Sequence, residues 1–178
     1  NLYFDAGGIL LGGTTKTYTA TAHIAAATLR LGGDDLLPQT TAITSIGLGG
    51  ILDLNSHTQT FGSANLQFAN PSAVVQIGTG TLKIINSSTN SLTGSLLSTA
   101  GGGTFELDPS SSGTLTVTGN NTYSTSANPG NTRVAGAAGT ILAAGTGGVN
   151  AFGTHSNLTV APDTTLDCGT FNLTFNTI

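Results

Sequence analysis

Gly113-Thr114-Leu115-Thr116-Val117-Thr118-Gly119-Asn120-Asn121-Thr122-Tyr123 is the stretch on which the fold turns. Side chains of an extended chain alternate between two faces, so Leu115 and Val117 share one face and Thr114 and Thr116 the other. A small residue, a threonine, then two apolar residues around an outward one make a strand phrase, and a polar turn closes it. One face of this phrase is built for burial.

Looser copies begin at Ala27, Gly50, Gly80, Gly103, Gly139 and Thr164, with Leu29, Leu52, Leu82, Phe105, Ile141 and Leu166 at the first apolar place. Most starts lie roughly 23 to 30 residues apart, with one interval of about 10, a period that signals stacked repeats. Much of the sparse charge (Arg30, Asp53, Lys83, Glu106, Asp167) occupies the outward place, as a solvated face requires. Leu115 and its counterparts are therefore expected in a shared dry column. Residues 52–61 also match residues 166–175 at a constant offset, which reads as two copies of one unit.

Residues 113–123, followed by Thr132-Arg133-Val134 and Gly139-Thr140-Ile141-Leu142, resemble the autotransporter-associated β-strand repeat, whose pattern runs G-T-L-T-L-x-G-x-N-T-Y, T-x-V, G-T-L. Residues 29–55 are similar to the link that follows such repeats in bacterial autotransporter passengers. The chain departs from the pattern in the insertion Ser126-Ala127-Asn128-Pro129-Gly130 and over residues 68–100. The resemblance implies a right-handed parallel β-helix on a secreted or surface protein, commonly the non-catalytic stalk of an adhesin.

Composition points the same way. The 178 residues suffice for one domain with a core. Only 7% are charged, while Ser, Thr, Asn and Gly supply close to half the chain and 38% is apolar. Disorder would need less apolar content. A β-solenoid reconciles these numbers, because polar side chains hydrogen-bond along a stack while Leu, Ile and Val fill a narrow interior. The expected fold is all-β, a single parallel β-helix over 1–178 with little or no helix. Its repeat-like units fall at about 27–61 and 113–175, with a less regular middle at 66–107. Strands are expected at 16–22, 25–31, 66–68, 73–77 and 81–85, with two more inside 42–54 and another at 57–61. Residues 98–103 read as a Gly-rich link.

With net charge -4 and Lys16, Arg30, Lys83 and Arg133 as the only lysines and arginines, no basic patch suits a phosphate backbone, so nucleic acid is excluded as a partner. No apolar run approaches the length of a transmembrane helix. Aromatic residues, at 6%, are too few for the girdles of a lipid-embedded barrel, so no membrane insertion is expected. A chain opening at Asn1 without an initiator Met reads as a mature secreted product or an excised fragment.

Candidate chemistry is thin. Glycoside hydrolysis needs two carboxylates across one bond, and Asp53 with Glu106, or Asp167 with Glu106, could share a stacked face; the alternative is a row of solubilising charges. Asp34-Asp35 could hold calcium with neighbouring carbonyls, or simply form an Asp-rich turn. His23, His57 and His155 lack metal-ligand spacing. Asn86, Asn120, Asn157 and Asn172 open N-x-Ser/Thr sequons of the kind a Ser/Thr-rich chain produces by chance. Cys168 aligns with Leu54 and is expected to be a buried small hydrophobe. No catalytic, cofactor-binding or metal site is assigned.

Interaction is the remaining role. Solenoid ends expose unpaired backbone, which sheets normally block with charge, proline or a covering helix. Leu2 and Phe4 at one end, and Phe171, Leu173 and Phe175 at the other, are expected to mediate self-association. The expected function is a non-catalytic extracellular structural protein, located outside the cell or on a bacterial surface, whose copies join head to tail into a fibre. The alternatives are a passenger stalk segment flanked by further repeats, and a polysaccharide-processing β-helix enzyme.

Overall fold

The computed structural model describes residues 1–98, 101–145 and 150–178. Residues 99 and 100, inside the link read at 98–103, lie outside the described residues. Nineteen strands and no helix are present among them, all named strand pairs are parallel, and the chain winds as a β-solenoid of about 7 turns. At the ~4.8 Å spacing of paired strands this is a rod of about 35 Å.

Each turn visits three faces in order. The first face carries β1 (Leu2–Phe4), β3 (Ala22–Ile24), β5 (Thr44–Ile46) and β8 (Leu66–Phe68) in one sheet, then β11 (Asn90–Thr93), β14 (Thr114–Thr118), β16 (Ile141–Ala144) and β18 (Thr165–Asp167) in another. The second face stacks β2 (Gly7–Leu11), β4 (Ala27–Leu31), β6 (Ile51–Asp53), β9 (Val74–Gln76) and β12 (Ser95–Leu97). The third stacks β7 (Thr58–Gly62), β10 (Thr81–Ile85), β13 (Thr104–Leu107), β15 (Asn131–Val134), β17 (Ser156–Val160) and β19 (Phe175–Thr177). Registers such as Leu2 on Ala22 and Leu115 on Leu142 set the coil at about 20 to 27 residues.

Alternation fills the interior. On the second face Ile9, Leu29, Leu52, Val75 and Leu96 stand in one inward column. On the third, Phe61, Ile84, Leu107 and Val134 do the same, while Val160, next in register, is exposed. Leu115, Leu142 and Leu166 form a column on the first. Leu29, Leu52, Leu82, Phe105, Leu115 and Leu142 are fully buried, and burying each such side chain is worth about 1.5–3 kcal/mol. Ile141, expected at the inward place of its copy, is corrected by one residue: it registers with Thr114, and Leu142 takes the inward place beside Leu115.

The single column expected from the repeated phrase is therefore corrected to three columns on three faces around one core. Every face demands the same small, polar, apolar, outward, apolar order, so the phrase identifies a strand without identifying its face. The intervals near 23 to 26 residues are one coil; those of about 30 and 10 step to another face. The match of 52–61 to 166–175 likewise pairs unlike places, since Leu52 lies in the second face and Leu166 in the first.

The glycine that opens the phrase has a steric cause. A Cβ on Gly80 would lie 2.2 Å from the His57 carbonyl oxygen, and one on Gly113 would lie 2.2 Å from that of Ser88. Backbones of successive coils pass so closely at these corners that no side chain fits.

Two expectations about strands fail at places of altered stacking. The strand expected at 16–22 is reduced to β3 at its end, because the third face first acquires a strand at β7. Alternation at Thr17, Thr19 and Thr21 thus has no neighbouring strand to pair with. In the irregular middle, β11 and β12 escape sequence reading because Asn90, Ser91, Thr93 and Ser95 leave Leu92 and the adjacent pair Leu96 and Leu97, with no apolar alternation within either strand. Here the first face also splits. β8 and β11 occupy the same place in successive coils yet belong to separate sheets, and Phe68 packs over Gly94, where a Cβ would lie 2.0 Å from its ring.

Candidate functional site

The two ends are the surfaces at which the stacking order is unfinished. β1 and β2 are the outer strands at one end, β18 and β19 at the other. A parallel strand pairs backbone groups on both sides, so each outer strand keeps one row of donors and acceptors unpaired by its own sheet. Inward side chains follow the same rule. Phe4, Ile9 and Leu11 at the first end, and Leu166, Leu173 and Phe175 at the last, pack against the core from one side only and are half-buried.

Of the five residues expected to mediate association, Phe4, Leu173 and Phe175 thus line the ends of the core. Leu2 stands over buried Ala22 and is 41% exposed. Phe171 lies half-buried in the link after β18, its N–H donating to the Cys168 carbonyl at 3.1 Å. Ile9 and Leu11, from the apolar phrase that opens the chain, line the first end beside Phe4, and Leu166, not among the expected five, lines the last. Tyr3, between Leu2 and Phe4, points outward and stacks on His23, with ring centroids 5.0 Å apart.

The carboxylates considered for hydrolysis do not meet. Asp53 is in the second face, Glu106 in the third and Asp167 in the first. Each is also otherwise engaged. Asp53 accepts from Arg30 Nε at 2.7 Å and from the Asn55 N–H at 2.8 Å. Glu106 sits between Lys83 Nζ at 3.2 Å and Arg133 Nη1 at 3.5 Å. Asp167 accepts from the Gly169 N–H at 2.8 Å. The solubilising row needs correction too, because Asp53 and Glu106 are only 4% and 6% exposed. On flat stacked strands, a long cation from a neighbouring coil lies across the shorter acid and covers it.

Asp34 and Asp35 serve as strand substitutes. Asp34 accepts from the Thr58 N–H at 2.8 Å and Asp35 from the Thr60 N–H at 2.7 Å, while His57 Nδ1 lies 3.3 Å from Asp34. Gln59 adds a third link, receiving the Leu37 N–H and donating to the Leu37 carbonyl. Together they satisfy the outer edge of β7 where the third face lacks an earlier strand. Among the described residues no group of three or more His, Cys, Asp or Glu side chains could hold a metal ion.

Cys168 is half-buried rather than enclosed, because no further coil of the described chain lies over β18. Partial burial, and secondarily the adjacent Asp167, raise its thiol pKa. Asn86 is fully buried, its amide donating to the Ser88 carbonyl and accepting from Asn90.

One polar group escaped sequence reading. Tyr123, Thr132 and Ser156 are buried, their hydroxyls linked at 2.6 and 2.9 Å, and Thr132 and Ser156 both reach the Phe152 carbonyl. With Tyr123 donating to Thr132, every hydroxyl proton in this group has an acceptor. Burial raises the Tyr123 phenol pKa well above its ordinary value, against a smaller lowering by Thr132. The group ties the 126–130 insertion's coil to the next one.

The described residues form a parallel β-solenoid. No family model, no curated protein and no solved structure matches the chain.

Proposed function

We propose that this protein is a non-catalytic extracellular structural element, a secreted β-solenoid whose copies join end to end into a surface fibre. The observation that carries this reading is the half-buried apolar layer at both ends, Phe4, Ile9 and Leu11 at one and Leu166, Leu173 and Phe175 at the other, flanked by strands with an unpaired edge. Unpaired edges and half-covered cores favour further stacking. Along the sides, Arg30 is paired with Asp53, and Lys83 and Arg133 with Glu106.

A second reading uses the same ends. As a stalk segment of an autotransporter-like adhesin, the chain would have flanking passenger repeats over both, and the repeated strand phrase supports this. A polysaccharide-processing role loses the carboxylate pairings that suggested it. Electron microscopy with sedimentation across a micromolar concentration series separates the first two readings. Filaments one solenoid wide that lengthen with concentration support the fibre; dispersed single rods at every concentration overturn it in favour of the stalk.

A further inference from the structure

We propose that copies stack in one fixed register, with β18 of one copy pairing in parallel with β1 of the next, so that Leu166 lies over Leu2 and Cys168 over Phe4. This rests on the end-to-end reading above and specifies its contact.

The argument starts from which strands each end presents. At the first end the outer strands are β1 and β2, on the first and second faces; at the last they are β18 and β19, on the first and third. Only the first face offers a strand at both ends. Two copies stacked coil on coil can therefore continue a ladder through β18 and β1 alone, while β2 and β19 meet irregular backbone of the neighbour.

Side-chain alternation then fixes the register. On β1, Leu2 and Phe4 point inward, over buried Ala22 and Ile24. On the last coil Leu166 points inward over Leu142, and the register of Ala143 on Asp167 places Cys168 next to Ala144, which packs against the core. Two inward places two residues apart thus face two others. Setting Leu166 over Leu2 covers both pairs and keeps Asp167 and Tyr3 outward together. Sliding by one residue turns apolar side chains outward. Sliding by two sets Leu166 over Phe4, leaves Leu2 facing Thr164, and carries Cys168 past the end of β1. The favoured register alone continues both inward columns from one copy into the next.

The contact is open to crosslinking because aligned residues on adjacent strands stand at a disulfide's Cα separation. Phe4→Cys, assembled and then treated with an added copper-phenanthroline oxidant, should give a ladder of dimers, trimers and higher species on non-reducing gels. Leu2→Cys should give none, and wild type, with one thiol per copy, no species above a dimer. A ladder from Leu2→Cys, or filaments of Phe4→Cys without one, overturns the register.

The unmodified protein supplies a second measurement that needs no folding of a variant. Maleimide labelling of Cys168 should fall several-fold between dispersed protein and filaments; equal labelling refutes the contact. Filaments lacking crosslink and protection sink the register while leaving the fibre. Dispersed rods under all conditions sink both.

Discussion

Replacing Thr132 by Val tests whether the buried hydroxyl group acts as a unit. Valine keeps the volume but removes the acceptor of the Tyr123 hydroxyl, 2.6 Å away, and the link to Ser156 at 2.9 Å. Ser156 keeps the Phe152 carbonyl at 2.8 Å, so the orphaned group is the Tyr123 donor, in a side chain with no exposure. Each lost hydrogen bond costs about 0.5–1.5 kcal/mol net and a stranded buried donor about 1–3, so Thr132→Val should lose about 2–4 kcal/mol. Tyr123→Phe loses one bond, strands no proton and retains the ring packing on Phe105, so it should cost only about 1 kcal/mol. The two substitutions together remove donor and acceptor at once. The double variant should therefore be no less stable than Thr132→Val alone, and more stable than the sum of the singles by about 1 kcal/mol or more. Reversible urea unfolding followed by circular dichroism gives the four stabilities, with equal m-values required before they are compared. Additivity within about 0.3 kcal/mol would refute the coupled network.

The same tyrosine gives a pH prediction. Its folded-state pKa is raised, chiefly by burial, so its contribution to stability is complete below the ordinary phenol value near 10 and declines as pH rises above it, where the unfolded chain loses the proton and the folded chain does not. Tyr18 is shifted in the same direction. Tyr123→Phe should therefore flatten, without abolishing, the fall in urea midpoint above about pH 10. The acid at the centre of the Lys83, Glu106 and Arg133 row should be more sensitive to losing its cations than they are to losing it. Replacing both cations by uncharged chains of similar length, Lys83→Met with Arg133→Met, keeps the cover over Glu106, strands a carboxylate that is 6% exposed and should cost about 3 kcal/mol, whereas Glu106→Gln should cost about 1 or less, as thermal unfolding would reveal. Gly80→Ala should lower the urea midpoint by the equivalent of about 2 kcal/mol or more, since its Cβ would meet a carbonyl oxygen at 2.2 Å; an unchanged midpoint would show that the corner can widen.

The architecture was legible in the sequence because alternation and period are local properties that survive stacking. Leu115 with Val117, Leu82 with Ile84 and Leu29 with Leu31 each declared a strand buried on one side. Assigning strands to faces depends on how many residues the corners consume, and Gly, Asn and Ser corners of varied length hide that count. The end residues Phe4, Leu173 and Phe175 were readable from position and hydrophobicity. Asp34, Asp35 and Gln59 were not, since their task arises only where a neighbouring strand is missing, a fact of three-dimensional stacking. The Tyr123, Thr132 and Ser156 hydroxyls join residues 9 and 24 apart. Their spacing resembles no motif; each alone reads as an ordinary member of a Thr- and Ser-rich chain.

The parting between β8 and β11 interrupts one face while the ladders on the other two run through it unbroken from β9 to β12 and from β10 to β13. A beam notched on one side yields toward that side, so the rod should flex by opening and closing there and stay stiff in other directions. Copies joined in a constant orientation would carry this soft direction in step, giving the fibre a preferred sense of curl.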